Sequence, residues 1–396
     1  MEENILFITA SSNWPLTDGK RQRTWFLIEG LSKKYNVDVL LIGSQNDKDN
    51  FNLHASSVNK LYFINNSHIS LTKVNLPSYL LSKNQNVQKK TFLKNLNNYF
   101  YDLYFENKYV FLFSRYLQPL TLLNVSKEIK TVCDLDDVYF ETQESKILNE
   151  TNFKQKLKLK FLFYIGAKKV KKIINRIDIP IIVKESDSSF YGLKNAVCLP
   201  NLPFGFFINR EKIAEIDFIS TPPNILSFGF IGKLSYKPNY KGLINFINSV
   251  WNPLIENKFE ARFVIAGSGE LPEVLQQVIT ESKNIDLLGF VETPDFFWDK
   301  VSILVVPVTE GGGSNIKIAE AFIHGKNVIA CPFASRGYDS FIDSGHLIMP
   351  KNDANWITTM NSILLLNSEQ RRLLSEKAKN HFDLDLWNQK LLRIVS

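Results

Sequence analysis

The sequence predicts an α/β protein with two doubly wound, Rossmann-like domains that face a central cleft. Three observations lead to this class: the length, the alternation of short apolar runs with helical segments, and a proline-rich join near the middle. At 396 residues the chain is too long for one ordinary domain and suits two of about 200. Apolar residues make up 44% of the chain and aromatic residues 13%, which is enough for two cores.

The first half contains short, nearly continuous apolar runs bounded by turn signals. Such runs suit strands that are buried on both faces of a parallel sheet. Because a helical segment near 20–34 follows the first run, right-handed crossovers between parallel strands are expected. The predicted strands are 4–10, 37–43, 60–65, 109–113, 130–135 and 179–183.

The second half repeats this alternation more regularly. Its predicted strands are NILSFGF, ARFVIAG, IDLLGF, VSILVVPV, NVIAC and HLIMP. The join, residues 199–224, carries four prolines and has weak periodicity. We therefore place the first domain at 1–204 and the second at 205–378. Ligands of doubly wound sheets bind at the carboxyl ends of the strands, so the expected site lies in the cleft and takes a phosphate-bearing ligand.

The composition favours a cytoplasmic protein. Three cysteines, Cys133, Cys198 and Cys331, lack metal-ligand spacing and are typical of isolated thiols in a reducing compartment. The N-terminus is acidic and runs straight into a strand-like segment, unlike a signal peptide. No apolar run reaches the length of a transmembrane helix.

The net charge of +7 is concentrated in the first half. Residues 1–204 hold 28 Lys and Arg against 19 Asp and Glu. Residues 152–176 alone contain eight lysines and one arginine and no acid. This segment is either a solvated helix face or a surface that lies against anionic lipid on the inner face of the membrane. Nucleic acid is not an expected partner, because no nucleic-acid module is present.

The stretch EGGGSNIKIAE follows the fourth strand of the second half, at the predicted ligand-binding edge. Glycines let an anion approach backbone amides, and a helix N-terminus, capped by Ser314 or Asn315, favours negative charge. Lys317, Glu320 and His324 share one face of that helix. A lysine there suits a phosphate, and a glutamate one turn deeper suits a ribose diol.

Basic residues also follow the first strand of each half. Lys233, Lys237 and Lys241 come after the strand that ends at Gly232, where they would neutralise a diphosphate. In the first half, the stretch 11–31 reads as a loop that contains Gly19 and a basic run at the cleft edge. The acceptor-side candidates in that run are Lys20, Arg21 and Arg23.

Three aspartates follow the strand at 130–135, namely Asp134, Asp136 and Asp137. An Asp-x-Asp pair can hold Mg²⁺ or Mn²⁺ together with substrate phosphates. The same residues also suit a polar turn with helix-capping aspartates. Asp136 and Asp137 are therefore acceptor-side candidates, and the sequence offers no zinc ligand set and no Ser-His-Asp arrangement.

As a set, these stretches resemble the GT-B retaining glycosyltransferases of family 4, the glycosyl transferases of group 1. The similar stretches in the second half are FIGKLSYKPNYKG, VIAGSGELPE, LLGFVETP and PVTEGGGSNIKIAEAFIHGKNVIACP. The first half is similar in PLTDGKRQR, KESDSSF and VCLPN. HFDLDLWNQKLLRIV looks like the family's closing helix, so residues 379–396 are expected to cross back to the first domain.

The resemblance implies roles for individual residues. Lys233 and Lys241 match the basic pair that binds the nucleotide diphosphate, and Glu320 matches the glutamate that binds the ribose. Glu310, ten positions before Glu320 where the family has eight, is the third catalytic candidate. The donor-binding candidates are Gly19, Gly232, Lys237, Gly267, Phe290, Gly311, Gly312, Gly313, Ser314, Asn315, Lys317 and Glu320.

The predicted activity is transfer of a sugar, with retention, from a UDP- or GDP-linked donor to a hydroxyl acceptor. The acceptor is a glycan, a lipid-linked glycan or a protein in the synthesis of cell-surface polysaccharide or glycoconjugate. No cofactor and no bound metal are expected, because lysines and helix-end amides would stabilise the leaving diphosphate. Two alternatives remain: a metal-dependent sugar transferase that uses Asp134 and Asp136, and a non-catalytic partner subunit that binds a nucleotide sugar or glycan.

Overall fold

The chain divides into two compact units in a computed structural model. Unit 1 comprises Met1–Asn201 together with Asp385–Ser396, and unit 2 comprises Leu202–Leu384. The residues that the structure describes are 2–10, 12–14, 19–53, 57–65, 87–136, 147, 150, 152–203, 225–311 and 314–396.

Unit 1 is built on a seven-stranded parallel sheet in the order β3-β2-β1-β4-β5-β6-β7. Its strands are β1 (Glu3–Thr9), β2 (Tyr35–Gly43), β3 (Lys60–Asn65), β4 (Leu112–Arg115), β5 (Thr131–Asp134), β6 (Ile179–Ile182) and β7 (Val197–Cys198). The helices between them are α1 (Gly19–Ser32), α2 (Gln45–Leu53), α3 (Val87–Glu106), α4 (Gln118–Leu122), α5 (Phe153–Ile174) and α6 (Asp187–Tyr191). The six predicted strands are present, and β7 is an addition that is too short to produce a sequence pattern.

The central strands of unit 1 are buried along almost their whole length. In β1 every residue from Leu6 to Ile8 is inaccessible, because helices cover both faces of the sheet. Phe7 pairs in register with Phe113 of β4, and their rings stack with centroids 5.2 Å apart. The continuous apolar runs in the sequence therefore reflect burial on two faces.

Unit 2 is built on a six-stranded parallel sheet in the order β10-β9-β8-β11-β12-β13. Its strands are β8 (Leu226–Ile231), β9 (Ala261–Ala266), β10 (Ile285–Gly289), β11 (Ile303–Val306), β12 (Asn327–Ala330) and β13 (Leu347–Ile348). The helices are α7 (Lys237–Phe246), α8 (Asn252–Glu256), α9 (Glu273–Glu281), α10 (Pro294–Trp298), α11 (Ile316–Ile323), α12 (Asp339–Ile342), α13 (Asp353–Ser362) and α14 (Ser368–His381). A π-helical turn, Ile247–Trp251, joins α7 to α8. All six strands predicted for this half are present.

In both sheets the strand order reverses once. The reversal lies between β1 and β4 in unit 1 and between β8 and β11 in unit 2. At such a point the chain leaves the two neighbouring strands in opposite directions and opens a crevice at their carboxyl ends. The predicted ligand-binding stretches of unit 2 follow β8 and β11 directly.

Helix α7 packs against the end of β11 without an intervening side chain. A Cβ added to Gly242 would lie 2.4 Å from the carbonyl oxygen of Pro307, so no other residue fits there. This close approach brings the first two turns of α7 beside the loop that follows β11.

The last helix, α15 (Leu384–Val395), packs on unit 1 although it follows unit 2 in the chain. It crosses α1 at Gly30, where an added Cβ would lie 2.6 Å from Oδ1 of Asn388 and 2.8 Å from Cδ2 of Leu391. The indole Nε1 of Trp387 donates to the carbonyl of Pro200 at 2.8 Å. The final segment of the chain is therefore part of the first compact unit.

None of the helices in the described part of the chain combines the length and the apolar character that crossing a bilayer requires.

Candidate functional site

The candidate site of unit 2 lies at the carboxyl ends of β8 and β11. These strands are neighbours and pair in parallel, with Phe228 opposite Ile303 and Gly229 opposite Leu304. After β8 the chain continues through Gly232 into α7, and after β11 it continues through Glu310 into α11. The topology therefore brings both motif-bearing stretches to one crevice.

Lys317 places its ammonium group over the end of β8. Its Nζ lies 4.0 Å from the ring centroid of Phe230 and 3.5 Å from Oδ1 of Asn239. A Cβ added to Gly232 would lie 2.7 Å from this Nζ. A side chain at position 232 would therefore displace the flexible end of Lys317, which occupies that space.

Asn239 holds this arrangement together and was not among the predicted residues. It is buried on α7, and its amide nitrogen donates to the carbonyl of Lys233 at 2.9 Å while its oxygen faces Lys317. The sequence shows Asn239 only as a polar residue between Lys237 and Lys241. Its two partners, Lys233 and Lys317, lie six and 78 positions away in the chain. A local sequence pattern cannot reveal the contact with Lys317.

Burial controls the protonation of the two charged residues of α11. It lowers the pKa of Lys317 to about 7, although the neighbouring Glu320 opposes this shift. It raises the pKa of Glu320 to about 7, although Lys317 opposes this shift. Near neutral pH both groups are therefore close to their pKa values, and an anion placed beside Lys317 would favour the ammonium form.

The N-terminus of α11 begins at Asn315, but the side chain of Asn315 does not cap it. The amide of Asn315 instead donates to the carbonyl of Ala334 at 3.3 Å, and the Tyr338 hydroxyl donates to the carbonyl of Asn315 at 2.9 Å. Of the two predicted caps, the one by the side chain of Asn315 is therefore not made, although the helix does begin where the sequence indicated. In the first turn, the amides of Ile316 and Ile318 donate to the carbonyls of Ser314 and Asn315 at 3.1 and 2.9 Å.

The loop after β11 brings two predicted residues together. Nζ of Lys241 lies 3.7 Å from Oε1 of Glu310, which is mostly buried, whereas Lys241 is exposed. Gly311 has φ of +128°, and an added Cβ would lie 3.2 Å from the Tyr236 hydroxyl. Only glycine adopts this backbone easily. Gly312 and Gly313 lie outside the described residues.

The remaining donor-side candidates occupy different positions along the same edge. Lys233 and Lys237 are exposed, and Lys237 is the first residue of α7. Position 267 requires glycine for steric reasons, because an added Cβ would lie 1.7 Å from the carbonyl oxygen of Gly232. Phe290 is 68% exposed directly after β10, which is two strands and so roughly 10 Å from β8.

His324 does not extend the site, although the helical spacing placed it on the face of Lys317 and Glu320. Its ring stacks on Trp298 with centroids 5.1 Å apart, and burial lowers the pKa of His324 to about 3. The imidazole is therefore neutral and packs at the C-terminal end of α11, away from the strand ends.

In unit 1 the predicted basic loop is instead the beginning of α1. Gly19 is the first residue of this helix, Lys20 is exposed and lies 5.3 Å from the centre of the Tyr116 ring, and Arg21 is partly exposed. Arg23 is buried one turn further on. The helix predicted near 20–34 is present, and the prediction of a loop over 11–31 is wrong from Gly19 onward, because the helix begins before the basic residues and turns Arg23 towards the sheet.

Arg23 belongs to a buried network of two arginines and two aspartates at the carboxyl ends of β4 and β5. Asp134 accepts from Nη2 of Arg23 at 2.7 Å and from Nη1 of Arg115 at 2.6 Å. Arg115 also donates from Nη2 to Asp136 at 2.7 Å. Nη1 of Arg23 donates to the side chain of Asn201 at 2.9 Å, so the network is satisfied on several sides.

These contacts bear on the alternative of a metal held by Asp134 and Asp136. Although burial alone would raise the pKa of Asp136, the guanidinium groups of Arg115 and Arg23 lower it below its usual value. Within the described ranges no group of three or more His, Cys, Asp or Glu side chains is placed to hold a metal ion. A cation at this position would have to displace a guanidinium group. Asp137 lies outside the described residues.

The fold is that of the GT-B class, in which one chain carries two Rossmann-like domains. Sucrose-phosphate synthase from Thermosynechococcus elongatus superposes with a TM-score of 0.65 at 11% identity, over 99% of this chain and 98% of that one. Anabaena HepE in complex with UDP-glucose superposes with a TM-score of 0.63 at 14% identity, over 99% of both chains. An Escherichia coli structure described as trehalose-6-phosphate bound with UDP-2-fluoro glucose gives 0.60 at 9%, over 99% and 98%.

Residues 226–365 match the family model "Glycosyl transferases group 1". The matched range lies within unit 2 and includes the carboxyl-edge site described above. No curated protein matches the chain. The predicted GT-B fold is confirmed, whereas the assignment to family 4, the retaining stereochemistry and the individual site roles stay predictions.

Proposed function

We propose that the protein transfers a sugar from a nucleotide-diphosphate donor to a hydroxyl acceptor. The observation that carries this proposal is the grouping of Lys317, Gly232 and Asn239 around the start of α11 at the strand reversal of unit 2. A partly buried lysine beside a helix N-terminus favours an anion, and strand reversals in such sheets are where nucleotides bind. Structures with this fold that hold UDP or UDP-glucose support a UDP-linked donor, and GDP is the alternative.

The roles proposed for the residues follow from their charge and position. Lys317, the first-turn amides of α11 and Lys233 bind the diphosphate, and Glu320 binds the ribose hydroxyls. Lys241, whose Nζ lies 3.7 Å from Oε1 of Glu310, also binds the diphosphate, and Glu310 contacts the sugar. Phe290 offers an exposed ring for the base.

In the proposed reaction the bond between the sugar C1 and the diphosphate oxygen breaks, and a bond from C1 to the acceptor oxygen forms. The nucleoside diphosphate leaves with the negative charge, and the acceptor hydroxyl releases its proton. Lysines and helix-end amides stabilise the charge that grows on the diphosphate, so we propose a metal-independent reaction with retention. The acceptor is proposed to be a glycan, a lipid-linked glycan or a protein of a surface glycoconjugate.

A panel of UDP- and GDP-sugars in a thermal-shift assay tests the donor. A ligand at 100 times its Kd stabilises by about 2.7 kcal/mol, which corresponds to roughly 5–10 °C for a unit of this size. The sugar that gives this shift is then tested for hydrolysis and transfer, with and without EDTA. Binding without turnover would favour the non-catalytic alternative, loss of turnover with EDTA would favour a metal-dependent enzyme, and no shift with any donor would refute the proposal.

Removing two lysines together should abolish turnover. Lys233→Ala combined with Lys241→Ala removes two positive charges from the candidate diphosphate site. Because both side chains are exposed, the fold should be kept. The matched control is Lys258→Ala combined with Lys283→Ala, two exposed lysines that precede β9 and β10 at the opposite edge. Full activity in the first variant, measured as donor turnover, would contradict the assignment of the diphosphate site.

Donor affinity should have a maximum near pH 7. Ionised Glu320 is needed to accept from the ribose and protonated Lys317 is needed for the diphosphate, and both groups have a pKa of about 7. Affinity should therefore fall on the order of tenfold by about pH 5.5, as Glu320 protonates, and by about pH 8.5, as Lys317 loses its proton.

Titration calorimetry with UDP-glucose measures this profile well, because its two phosphates stay ionised throughout the range. In Glu320→Gln the acid side of the profile should disappear while the alkaline side remains. A flat profile in the unmodified protein, or an unchanged acid side in Glu320→Gln, would show that these two groups do not contact the donor.

A further inference from the structure

Helix α5 of unit 1 has two apolar faces. One face packs against the core of the unit through Phe163, Ala167, Val170 and Ile174, which recur at the spacing of a buried helix stripe. This face alone accounts for the attachment of α5 to the sheet, because Val170 and Ile174 are fully buried.

The second apolar face points away from the core. It consists of Phe153, Leu157, Phe161 and Tyr164, whose side chains are 74%, 52%, 64% and 60% exposed. Their spacing of four, four and three residues aligns them along one side of the helix, and we call them the exposed stripe. A helix of a globular protein usually presents polar side chains to solvent, so four large apolar groups in a row indicate a surface with a partner.

Lysines border the exposed stripe on both sides. At 100° per residue, Lys154 and Lys158 lie on one side of it and Lys156 and Lys160 on the other. Towards the C-terminus the stripe continues into exposed lysines, and Nζ of Lys168 lies 4.5 Å from the centre of the Tyr164 ring. The segment 152–176 has eight lysines and one arginine and no acidic residue.

The topology of unit 1 gives the exposed stripe a definite position. Helix α5 connects β5 to β6, which are parallel neighbours, so it runs antiparallel to both strands. Its C-terminal end therefore lies at the amino edge of the sheet, where the amide of Asp178 donates to the carbonyl of Thr131 at 3.0 Å. Its N-terminal half, which carries the stripe, lies towards the carboxyl edge that holds Asp134.

We propose that α5 is an interfacial helix that binds the surface of a membrane containing anionic lipid. The exposed stripe enters the boundary between headgroups and acyl chains, and the flanking lysines contact lipid phosphates, with their alkyl stems extended along the apolar side. Charge complementarity favours this occupant, because a helix with eight lysines and no acidic residue matches a uniformly negative surface. A protein partner would need a matching acidic groove, and the test below distinguishes it.

Vesicle flotation of the full chain tests the proposal, without nucleotide or acceptor. The protein should float with phosphatidylcholine vesicles that contain about one third phosphatidylglycerol and stay unbound with phosphatidylcholine alone. Because roughly 0.5 M salt shortens the screening length to a few ångströms, binding should fall at least tenfold there. Failure to bind anionic vesicles at low salt would overturn the proposal.

Substitutions distinguish the contribution of the exposed stripe to vesicle binding from the contribution of positive charge. Phe153→Ser combined with Phe161→Ser should lower the bound fraction at least tenfold without changing thermal unfolding, since both rings are exposed. The control is Leu364→Ser combined with Leu373→Ser, two leucines of unit 2 that are 83% and 51% exposed, and it should bind as the unmodified protein does. A second variant, Lys154→Glu with Lys158→Glu, should also lose binding.

Two results would contradict the proposal. The first is equal vesicle binding by the stripe variant and the control, and the second is dissociation of a protein oligomer by the stripe substitutions in the absence of lipid. Neither result depends on donor binding, so failure of this proposal and failure of the proposed transferase activity would be seen in different assays.

Discussion

Replacing Lys317 with methionine is expected to lower donor affinity about 100-fold without loss of thermal stability. A hydrogen bond to a charged group contributes about 1.5–3 kcal/mol, which corresponds to roughly 10- to 150-fold in Kd. The stability should not fall, because burial already disfavours the charge of Lys317, as its lowered pKa of about 7 shows. Methionine is one atom shorter than lysine, and its apolar side chain can still pack beside the Phe230 ring.

Lys300→Met is the matched control for this variant. Lys300 also belongs to unit 2 and also places its Nζ over a phenylalanine ring, 4.6 Å from the centroid of Phe296, but it precedes β11 at the amino edge. Calorimetry of both variants should show weakened donor binding in Lys317→Met only. Unchanged affinity in Lys317→Met would remove the central residue of the proposed site.

Gly232→Ala gives an independent check through shape instead of charge. Its new Cβ would lie 2.7 Å from Nζ of Lys317 and 3.2 Å from Nδ2 of Asn239, so the lysine must move. The donor affinity should fall as in Lys317→Met although every charged group is still present.

Replacing Asp134 with asparagine is expected to produce the largest loss of stability. Asp134 is fully buried between Arg23 and Arg115, and its removal leaves two buried guanidinium groups with one carboxylate. Breaking a buried ion pair on one side costs about 3–5 kcal/mol, because the remaining charge is uncompensated. For a unit of about 200 residues this lowers Tm by roughly 10 °C.

Arg372→Met is the control, because it breaks ion pairs of similar length whose side chains are exposed to solvent. Arg372 contacts Glu369 and Glu376 at 2.8 and 2.5 Å, distances close to those at Asp134, but all three side chains are exposed. Its loss should leave Tm unchanged within error. Thermal unfolding followed by circular dichroism compares the two variants, and hydrogen exchange in β4 and β5 shows whether the loss is in unit 1. A Tm for Asp134→Asn equal to that of Arg372→Met would show that the network does not stabilise the fold.

The network also makes the free energy of unfolding of unit 1 depend on pH in the acidic range. Because the pKa of Asp136 is lower in the folded protein than in the unfolded chain, its contribution is present above pH 4 and decreases as the pH falls through the lower value. The buried arginines remain charged throughout, so protonation of Asp136 removes one of their carboxylate partners.

Much of the architecture could be predicted from the sequence because it depends on local patterns. A strand buried on both faces needs an unbroken apolar run, and all twelve predicted runs are strands. Strand β7 was missed because two residues carry no periodicity. The glycine-rich start of α11 could also be placed, since a βα turn at the end of an apolar run must lie at the carboxyl edge of a parallel sheet.

The side-chain arrangement of the site could not be predicted in the same way. Arg23 pairs with an aspartate 111 positions away, and Lys317 contacts an asparagine 78 positions away. His324 has the right helical spacing to join Lys317 and Glu320, yet stacking on Trp298 and burial make it a packing residue. Each outcome depends on which residues the fold brings together across the sheet.

The sequence alone thus determined the class of fold, the edge of each sheet where the candidate residues lie, and the cationic character of α5. These properties follow from periodicity, turn chemistry and composition, which act over a few residues. Only the tertiary structure decided which charges are buried in pairs, which glycine leaves room for Lys317, and which face of α5 remains exposed. Burial and pairing depend on contacts between residues distant in the chain, and these contacts set the pKa values and the surfaces that the proposed function uses.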